Sequence, residues 1–585
     1  MRSNTCGELT KKDIDKEVTL CGWVSTRRDH GGIIFIDLRD RFGVTQIVFD
    51  PDINKDALNT AESLRREDTI QVKGKVKARK PDMENKKLTT GEIEVFIDRI
   101  TILNKSETPP IEVDDRIDLN EDVRMKFRYL DLRKPIMQKQ MQVKHDAMQA
   151  ARAFLCKNNF IEIQTPMLVK ATPEGARDYV VPSRVSPGKF YALPQSPQLY
   201  KQLLMVGGFD RYFQFPICLR DEDLRQDRQP EFTQLDVEMS FIGEEDIYEI
   251  AEGCLKAMMK AGINKDIKTP LQRITYREAM DKYSTDKPDM RFELFTHEVT
   301  DIVKESDFGV FKTVVENGGI VKCINPEKEL GRKDIDGYIK FSQDIGSKGM
   351  AWMRVKDGKL ESNIAKYFND DVQKKLINAT NAKNGVLMFI ADKPAKCNEY
   401  ISRLRNKLGE DLGLFNKDEF NFVWVTDFPM FEFDEELNAW QPAHHMFTMP
   451  KKEHIDILEK EPGNVVAQSY DLVLNGVELA SGSIRCNNIE IQQRIMDVVG
   501  FPEKEAEKRF GFLLEALRYG APPHGGFAVG FERLVSIMCG FNDIREVLPF
   551  PKNKSAQCTM DGSPAEITDE QLKELHLKLD IVKKS

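Results

Sequence analysis

RDEDLRQDRQPEFTQLDVEMSF, Arg220 to Phe241, is the stretch on which the reading of this 585-residue chain turns. Its first ten residues carry three arginines and four acids. Guanidinium forks match phosphate oxygens two bonds at a time, and adjacent carboxylates suit Mg²⁺, a hard cation that takes oxygen ligands. Phe232 adds an aromatic face for a base. From Phe232 to Phe241 the pattern alternates and turns half apolar, which places the charged cluster at the edge of a sheet. Taken by itself, such a cluster equally describes a solvated loop laced with ion pairs.

Two later segments bear on the choice. In GGFAVGFERL, Gly525 to Leu534, small residues let backbone approach a ligand, Arg533 follows, and an apolar run opens a helix. It matches neither the P-loop nor the GxGxxG fingerprint. In YDLVLNGVELASGSIR, Tyr470 to Arg485, a hairpin turning at Asn475-Gly476 would bring Asp471 towards Glu478. Two carboxylates on one sheet face repel unless a cation sits between them. An ordinary strand-to-helix turn and an exposed hairpin are the plain alternatives. TPEGARDYVVPSR (Thr172–Arg184), LPQSPQLYKQ (Leu193–Gln202) and the His444-His445 pair read as loops with polar groups to offer.

At 41% hydrophobic and 31% charged, the chain can bury large cores and is neither disordered nor collagen-like. Short β-branched runs at Val18–Val24, Ile33–Leu38, Val44–Phe49, Thr69–Val76 and Ile93–Ile97 point to a small barrel over 1–105. An OB-fold, an SH3-like barrel and a sandwich all fit that pattern. A linker rich in acid and proline spans 106–130, and apolar spacing predicts a helix over 136–157. Strands and loops are expected to dominate 160–285. The expected domains are 1–105, the linker 106–130, a core in two parts (131–285 and 421–555), an inserted mixed domain 286–420 and a C-terminal extension 556–585 that opens with a capping box at Thr568. No membrane span or export signal is expected, and ten scattered cysteines without CxxC spacing fit a reduced, cytoplasmic protein.

Taken together, the ordered segments resemble class II aminoacyl-tRNA synthetases of the bacterial aspartyl type, across essentially the whole chain. FIEIQTPML (Phe160–Leu168) resembles the first class II motif, with Pro166 at its dimer position; RDEDLRQDRQPEFTQ resembles the second and GFERL the third. TPEGARDY, LPQSPQLYK and HHMFT match the aspartyl enzymes in particular. The resemblance implies an α+β multidomain fold: an N-terminal OB-fold barrel that reads the anticodon, a six-stranded antiparallel catalytic sheet flanked by helices, an inserted α+β domain and a two-fold homodimer. It implies an ATP- and Mg²⁺-dependent attachment of L-aspartate to tRNA(Asp), with tRNA(Asn) as an open second substrate.

By the same resemblance Arg220, Asp221, Glu222, Gln229, Phe232, Gly530, Phe531, Glu532 and Arg533 belong to the ATP site. Arg220 would take the α-phosphate, Arg533 the γ-phosphate, and Phe232 the adenine. Asp471 and Glu478 would hold Mg²⁺. Lys201 and Arg485 would clamp the side-chain carboxylate of aspartate; Glu174, Gln198 and Asp236 would receive its ammonium; Gln195 and His444 would lie beside it. Arg28, Phe35 and Gln46 match anticodon contacts.

The chain departs from the pattern at Asn159, where glycine is usual, at Leu219, where phenylalanine is common, and at Leu479-Ala-Ser-Gly482, where glycines often run. His30 resembles relaxed enzymes that also charge tRNA(Asn), whereas Asp82-Met83 stands where those carry glycine; the balance leans to the relaxed, non-discriminating form. A tRNA-independent aspartate–ammonia ligase is the alternative reading, and a synthetase-derived RNA regulator without activity is a third. The net charge of −9 conceals a barrel of net +2, with seven basic residues against two acidic over 70–90.

Overall fold

A computed structural model describes residues 1–172 and 176–581, so Glu174 lies outside the described residues. The chain divides into two compact units. One contains 1–145, 224–229 and 541–567; the other contains 146–223, 230–540 and the stretch from 568.

In the first unit, strands β1 (Glu17–His30), β2 (Ile33–Asp40), β3 (Gly43–Phe49), β4 (Thr69–Ala78) and β5 (Ile93–Asn104) close into a barrel in the order β1-β2-β3-β5-β4. Alternation does the work: Leu20, Ile34, Ile36, Leu38, Ile47, Val72 and Ile97 fill the interior. Gly31 and Gly32, both left-handed (φ 64° and 88°), turn β1 into β2. β1 runs six residues past its expected end at Val24, because Ser25–His30 are polar and show no alternation, yet pair with β2 as far as His30 opposite Ile33. Glu67, buried, accepts from Arg39 (2.8 Å) and from Arg133 (2.7 Å), whose guanidinium also lies 4.8 Å from the Trp23 ring. Further on, Arg124 joins Asp131 to Glu546, and Arg128 donates to the carbonyls of Arg545, Leu548 and Pro549. The stretch 541–567 is thereby tied to the segment that follows the barrel.

The second unit is organised by a nine-stranded sheet. Its strands are β6 (Ile161–Glu162), β7 (Arg211–Gln214), β8 (Ile217–Leu219), β9 (Glu231–Ser240), β10 (Gln272–Thr275), β11 (Phe422–Thr426), β12 (Ser469–Leu474), β13 (Val477–Ile484) and β14 (His524–Gly530). The order is β10-β11-β12-β13-β14-β9-β7-β6, with β8 on β9. The six expected antiparallel strands are β11, β12, β13, β14, β9 and β7; β10 and β6 extend the two edges in parallel. The left-handed Asn159 (φ 64°) leads into β6, which explains how asparagine serves where glycine is usual.

Helices are more prominent over 160–285 than expected. Gln198–Val206 (α1), Glu244–Ile263 (α2) and Tyr276–Tyr283 (α3) all lie there. The signal for α2 is in the sequence: Glu244, Glu245 and Asp246 crowd its first turn, and Ile247, Ile250, Ala251, Cys254, Leu255 and Met258 recur at helical spacing on its buried face. Against the sheet, Trp424 donates to Glu252 of α2 (3.0 Å), and the rings of Tyr248, Trp424 and Tyr470 pack 4.9–5.9 Å apart.

Between β10 and β11 the chain builds a separate five-stranded antiparallel sheet, Thr296–Glu298, Ile320–Ile324, Ala351–Lys356, Lys359–Glu361 and Val386–Asp392. Arg405 of helix Pro394–Asp411 closes its entrance, donating to the carbonyls of Leu294 (2.6 Å) and Phe292 (2.9 Å). Among the described residues no helix is long and apolar enough to cross a membrane.

One position shows how tight the main sheet is. A Cβ on Gly526 of β14 would stand 2.0 Å from the Val237 carbonyl oxygen and 2.1 Å from Glu238 Oε2. Gly526→Ala is expected to cost about 2 kcal/mol or more of folding stability, as forced overpacking does. Denaturant unfolding checks this; an unchanged midpoint would contradict the packing described.

Candidate active site

Asp236 and Glu238 of β9 stand two residues apart, so alternation puts both on one face of the sheet. Opposite them in β14 are Ala528 and Gly526, and the Glu238 carboxylate lies over the bare backbone of Gly526; towards the two acids come two cations. Lys201 of α1 lies 3.0 Å from Asp236 and 3.3 Å from Glu238. Arg485, just past β13, reaches Glu238 with Nε (2.9 Å) and Nη2 (3.2 Å) and donates through Nη1 to Ser483 (2.7 Å). All four charged groups are buried, Glu238 completely.

Burial pushes the Asp236 carboxyl up to about 6, with the Lys201 ammonium pulling the other way. Burial acts on Glu238 in the same sense, but Arg485 and Lys201 outweigh it and bring Glu238 down to about 2. Lys201 hydrogen-bonds Asp236 Oδ2, while Oδ1, equally near, has no aligned donor; Gln198 Nε2 is likewise buried without a partner. Gln195 donates to the Ala176 carbonyl (2.8 Å) and to Asp178 (2.5 Å). Three of the five Arg485 N–H groups are engaged by Glu238 and Ser483, and two remain.

A second corner lies on the β12–β13 hairpin. Its turn is Asn475-Gly476, both left-handed (φ 52° and 84°), as a tight hairpin demands. Asp471 is buried, with Oδ1 unpartnered. Burial, reinforced by the charge of Glu478, holds its carboxyl well above the usual range. Burial would also raise Glu478, but the Lys287 ammonium 2.8 Å away lowers it overall. Arg533 donates to the Glu478 carbonyl (2.7 Å). His444 stands edge-on to Phe428, 4.6 Å between ring centres; the protein crowded around it lowers its pKa, against the pull of Glu478 and Asp286.

The third corner is the Arg220–Phe232 pair, with the guanidinium 5.2 Å from the ring centre. Arg220 also donates to the Gln195 carbonyl (3.4 Å), which links this corner to the first. The Asp221 backbone N–H donates to the Arg177 carbonyl (3.1 Å), and Glu222 is half-buried beside it. Gly530 ends β14 and caps helix Phe531–Met538. Phe531 is buried against Phe215, and the Glu532 carboxylate accepts the Thr233 N–H (2.8 Å), which ties the helix to β9. Gln229 belongs to the first unit, where it accepts the Lys552 N–H (2.8 Å).

On the barrel, Arg28, His30, Phe35 and Gln46 gather on one face. Arg28 is opposite Phe35 and donates to Asp37 (2.9 Å) and Gln46 (3.4 Å), while His30 lies edge-on to Phe35 (5.9 Å). Of the basic stretch read from the sequence, Lys73 and Lys75 are paired with Glu17 and Asp15, and Lys77 covers the Phe96 ring.

Sequence reasoning passed over Glu238 and Lys287. The first was legible, since it follows Asp236 at strand spacing. The second had no local signal, because it reaches Glu478 only through the fold. Asp471 and Glu478 suit a hard cation: two carboxylates, one with an unpartnered buried oxygen, and no third His, Cys, Asp or Glu converging on a metal-sized cluster among the described residues. Carboxylate oxygens are the donor type that a hard cation such as Mg²⁺ takes.

Comparison with known proteins gives the family. A family model described as tRNA synthetases class II (D, K and N) matches residues 120–554, and one described as an OB-fold nucleic acid binding domain matches 18–103. An aspartate–tRNA(Asp/Asn) ligase of Caldanaerobacter subterraneus is 49% identical over 99% of this chain and 98% of its own length. An aspartate–tRNA ligase of Macrococcus caseolyticus is 49% identical over 99% of both chains. In fold, the chain is similar to the asparaginyl-tRNA synthetase of Pyrococcus horikoshii solved with asparaginyl-adenylate (TM-score 0.61, 20% identity, 94% of this chain and 97% of that one). The chain belongs to the class II tRNA synthetases of the D, K and N group and carries their OB-fold domain at its N-terminal end.

Proposed function

We propose that the chain joins L-aspartate to tRNA through an aspartyl-adenylate, using ATP. The observation that carries this reading is the four-charge pocket. Lys201 and Arg485 retain N–H capacity for an incoming carboxylate, and Asp236 Oδ1, 3.0 Å from Lys201 but without an aligned hydrogen bond, can accept from an ammonium. An amino acid with a carboxylate side chain satisfies all of them at once. Asparagine would set a neutral amide, itself a donor, against the remaining Arg485 N–H groups, and sites of such polar complementarity reject near-isosteres by roughly 10⁴-fold.

Arg220, Phe232 and Arg533 are assigned to ATP, Glu222 and Gln229 to its contacts, and Asp471 with Glu478 to Mg²⁺, which supplies charge neutralisation for the phosphates. The α-carboxylate of aspartate attacks the α-phosphorus, a P–O bond forms, and the bond to pyrophosphate breaks. The protein contributes position and charge rather than a covalent group. Lys201 and Arg485 hold the side chain, Asp236, Gln198 and Glu174 the ammonium, and Gln195 and His444 flank them. The tRNA 3′-hydroxyl then attacks the adenylate carbonyl and releases AMP.

Arg28, Phe35 and Gln46 are assigned to the anticodon, where bases stack on aromatic faces and expose their edges. His30 beside Phe35 favours charging of tRNA(Asn) as well as tRNA(Asp). The backbone supports it: Asp82 is left-handed (φ 68°), the conformation a glycine there would take. The relatives carry both kinds of name. The closed barrel favours these readings over an ammonia-dependent ligase, which has no anticodon to read. A two-fold homodimer is assigned to the Phe160–Leu168 stretch, where Ile161, Met167 and Leu168 expose apolar surface. The ten free cysteines suit the cytoplasm.

The reading predicts aspartate-dependent exchange of pyrophosphate into ATP. Arg485→Leu should reduce that exchange by at least 10³-fold while ATP binding stays near wild type, because an unpaired buried charge partner costs several kcal/mol. Equal loss of both would remove Arg485 from the aspartate site.

Asp236 must be ionised to receive an ammonium, and its pKa is raised to about 6. The KM for aspartate should therefore rise as pH falls through 6, with kcat less affected. A KM flat from pH 5 to 8 would contradict the assignment.

Charging purified tRNA(Asp) and tRNA(Asn) side by side should give aspartylation of both. Strict use of tRNA(Asp) would overturn the relaxed reading.

A further inference from the structure

Lys287 belongs to none of the segments read from the sequence, yet its Nζ lies 2.8 Å from Glu478 Oε2. The contact is built into the fold. Lys287 sits on the loop between α3 and the inserted sheet, and that loop is fastened to the hairpin that carries Glu478. A Cβ on the turn residue Gly476 would stand 3.3 Å from Asp289 Cβ, Asp289 is locked to Arg291 (2.6 Å), and Asn421 donates to the Met290 carbonyl (3.3 Å). The other charged groups facing Lys287 are Asp286 (3.9 Å) and, less closely, Asp471. A lysine ammonium is a compact point charge on a flexible stem, suited to occupying a carboxylate pair and to leaving it.

We propose that Lys287 is the resident counter-cation of the Asp471–Glu478 pair, competing with the divalent ion for Glu478, so that the ion is held firmly only together with the nucleotide. Two neighbouring carboxylates that are both ionised repel, and a cation between them relieves that repulsion. Without nucleotide, the ion finds two protein carboxylates, one already engaged by Lys287. With ATP, the phosphates add oxygen ligands for the ion and a new anionic partner for the ammonium, and the exchange becomes favourable. Lys287 is thus a positioning residue that makes metal capture depend on ATP. The inference rests on the reading of Asp471 and Glu478 as the cation pair.

Binding of Mn²⁺ to the full-length protein, followed by the loss of the free-ion signal in electron paramagnetic resonance, tests it. Without nucleotide, Lys287→Met is expected to bind Mn²⁺ about tenfold more tightly than wild type, the scale on which a close opposite charge acts. Lys287→Arg should stay near wild type, and the gap should narrow with a non-hydrolysable ATP analogue. Lys287→Gln reads the same effect if the methionine variant does not fold. Mn²⁺ affinity that is unchanged or weaker in the neutral variants overturns the proposal. Glu478→Gln separates the two layers. If it leaves Mn²⁺ uptake with the analogue intact, the reading of the cation pair fails; if it abolishes uptake while the neutral Lys287 variants behave as wild type, only the role of Lys287 fails.

Discussion

Glu238 has no exposed surface and holds Arg485 with two hydrogen bonds while also facing Lys201, and the pocket depends on that arrangement. Two cations withdrawn from water would each carry a desolvation cost of several kcal/mol, and one carboxylate shared between them offsets it. Glu238 also fixes the guanidinium plane by engaging its Nε edge. The remaining N–H groups are thereby oriented before any ligand arrives, which limits the reorganisation needed on binding. Asp236 completes the balance with a second negative charge, so the empty pocket is near neutral even though its groups are individually charged.

The sheet exists around this cluster as much as beside it. Gly526 can only be glycine because Glu238 and the Val237 carbonyl fill the space its side chain would need. Tyr470 donates to the Gly526 carbonyl, which anchors the same point of β14 from β12. Behind the sheet, Trp424 and Glu252 close a buried polar contact, and Glu532 ties helix Phe531–Met538 to the start of β9. The strands that carry ligand-facing groups are therefore braced by groups that face away from the ligand. Such bracing keeps reacting groups within the fraction of an ångström that positional catalysis requires.

On the barrel the physical problem is different. Its face is polar and open, and Arg28, His30, Phe35 and Gln46 lie there on β1, β2 and β3. Arg28 is held between Asp37 and Gln46, and Gln46 in turn donates to Glu94, so a chain of hydrogen bonds orders the groups beside Phe35. The positive charge of the basic stretch is smaller in effect than its composition implies, since Lys73 and Lys75 are spent on neighbouring acids. The proposed reading of this face accordingly rests on stacking and edge contacts more than on bulk attraction of phosphate.

How much of this was legible in advance follows from which interactions are local. The five barrel strands, the helix Pro135–Lys157, the Asn475-Gly476 hairpin and the three charged segments were readable because alternation, helical spacing and turn chemistry act over a few residues. The polar end of β1 was not, since its pairing with β2, and not its own pattern, makes it a strand. The helix Glu244–Ile263 has a local signal in its acidic first turn and apolar spacing, although the stretch around it is rich in strand-forming residues. Residue types and spacing named Asp471, Glu478 and Arg485 as charged groups in suggestive places, and the family resemblance added Lys201 and Asp236. What only the tertiary structure decided is their partnership: that Arg485 and Lys201 share Glu238, that Gln229 packs with the stretch 541–567, and that Lys287 reaches Glu478 across the insertion of a whole domain. Sequence records short-range geometry and chemistry, whereas the pairing of buried charges depends on which distant segments the folded chain brings within about 3 Å, where hydrogen-bonded charges interact most strongly.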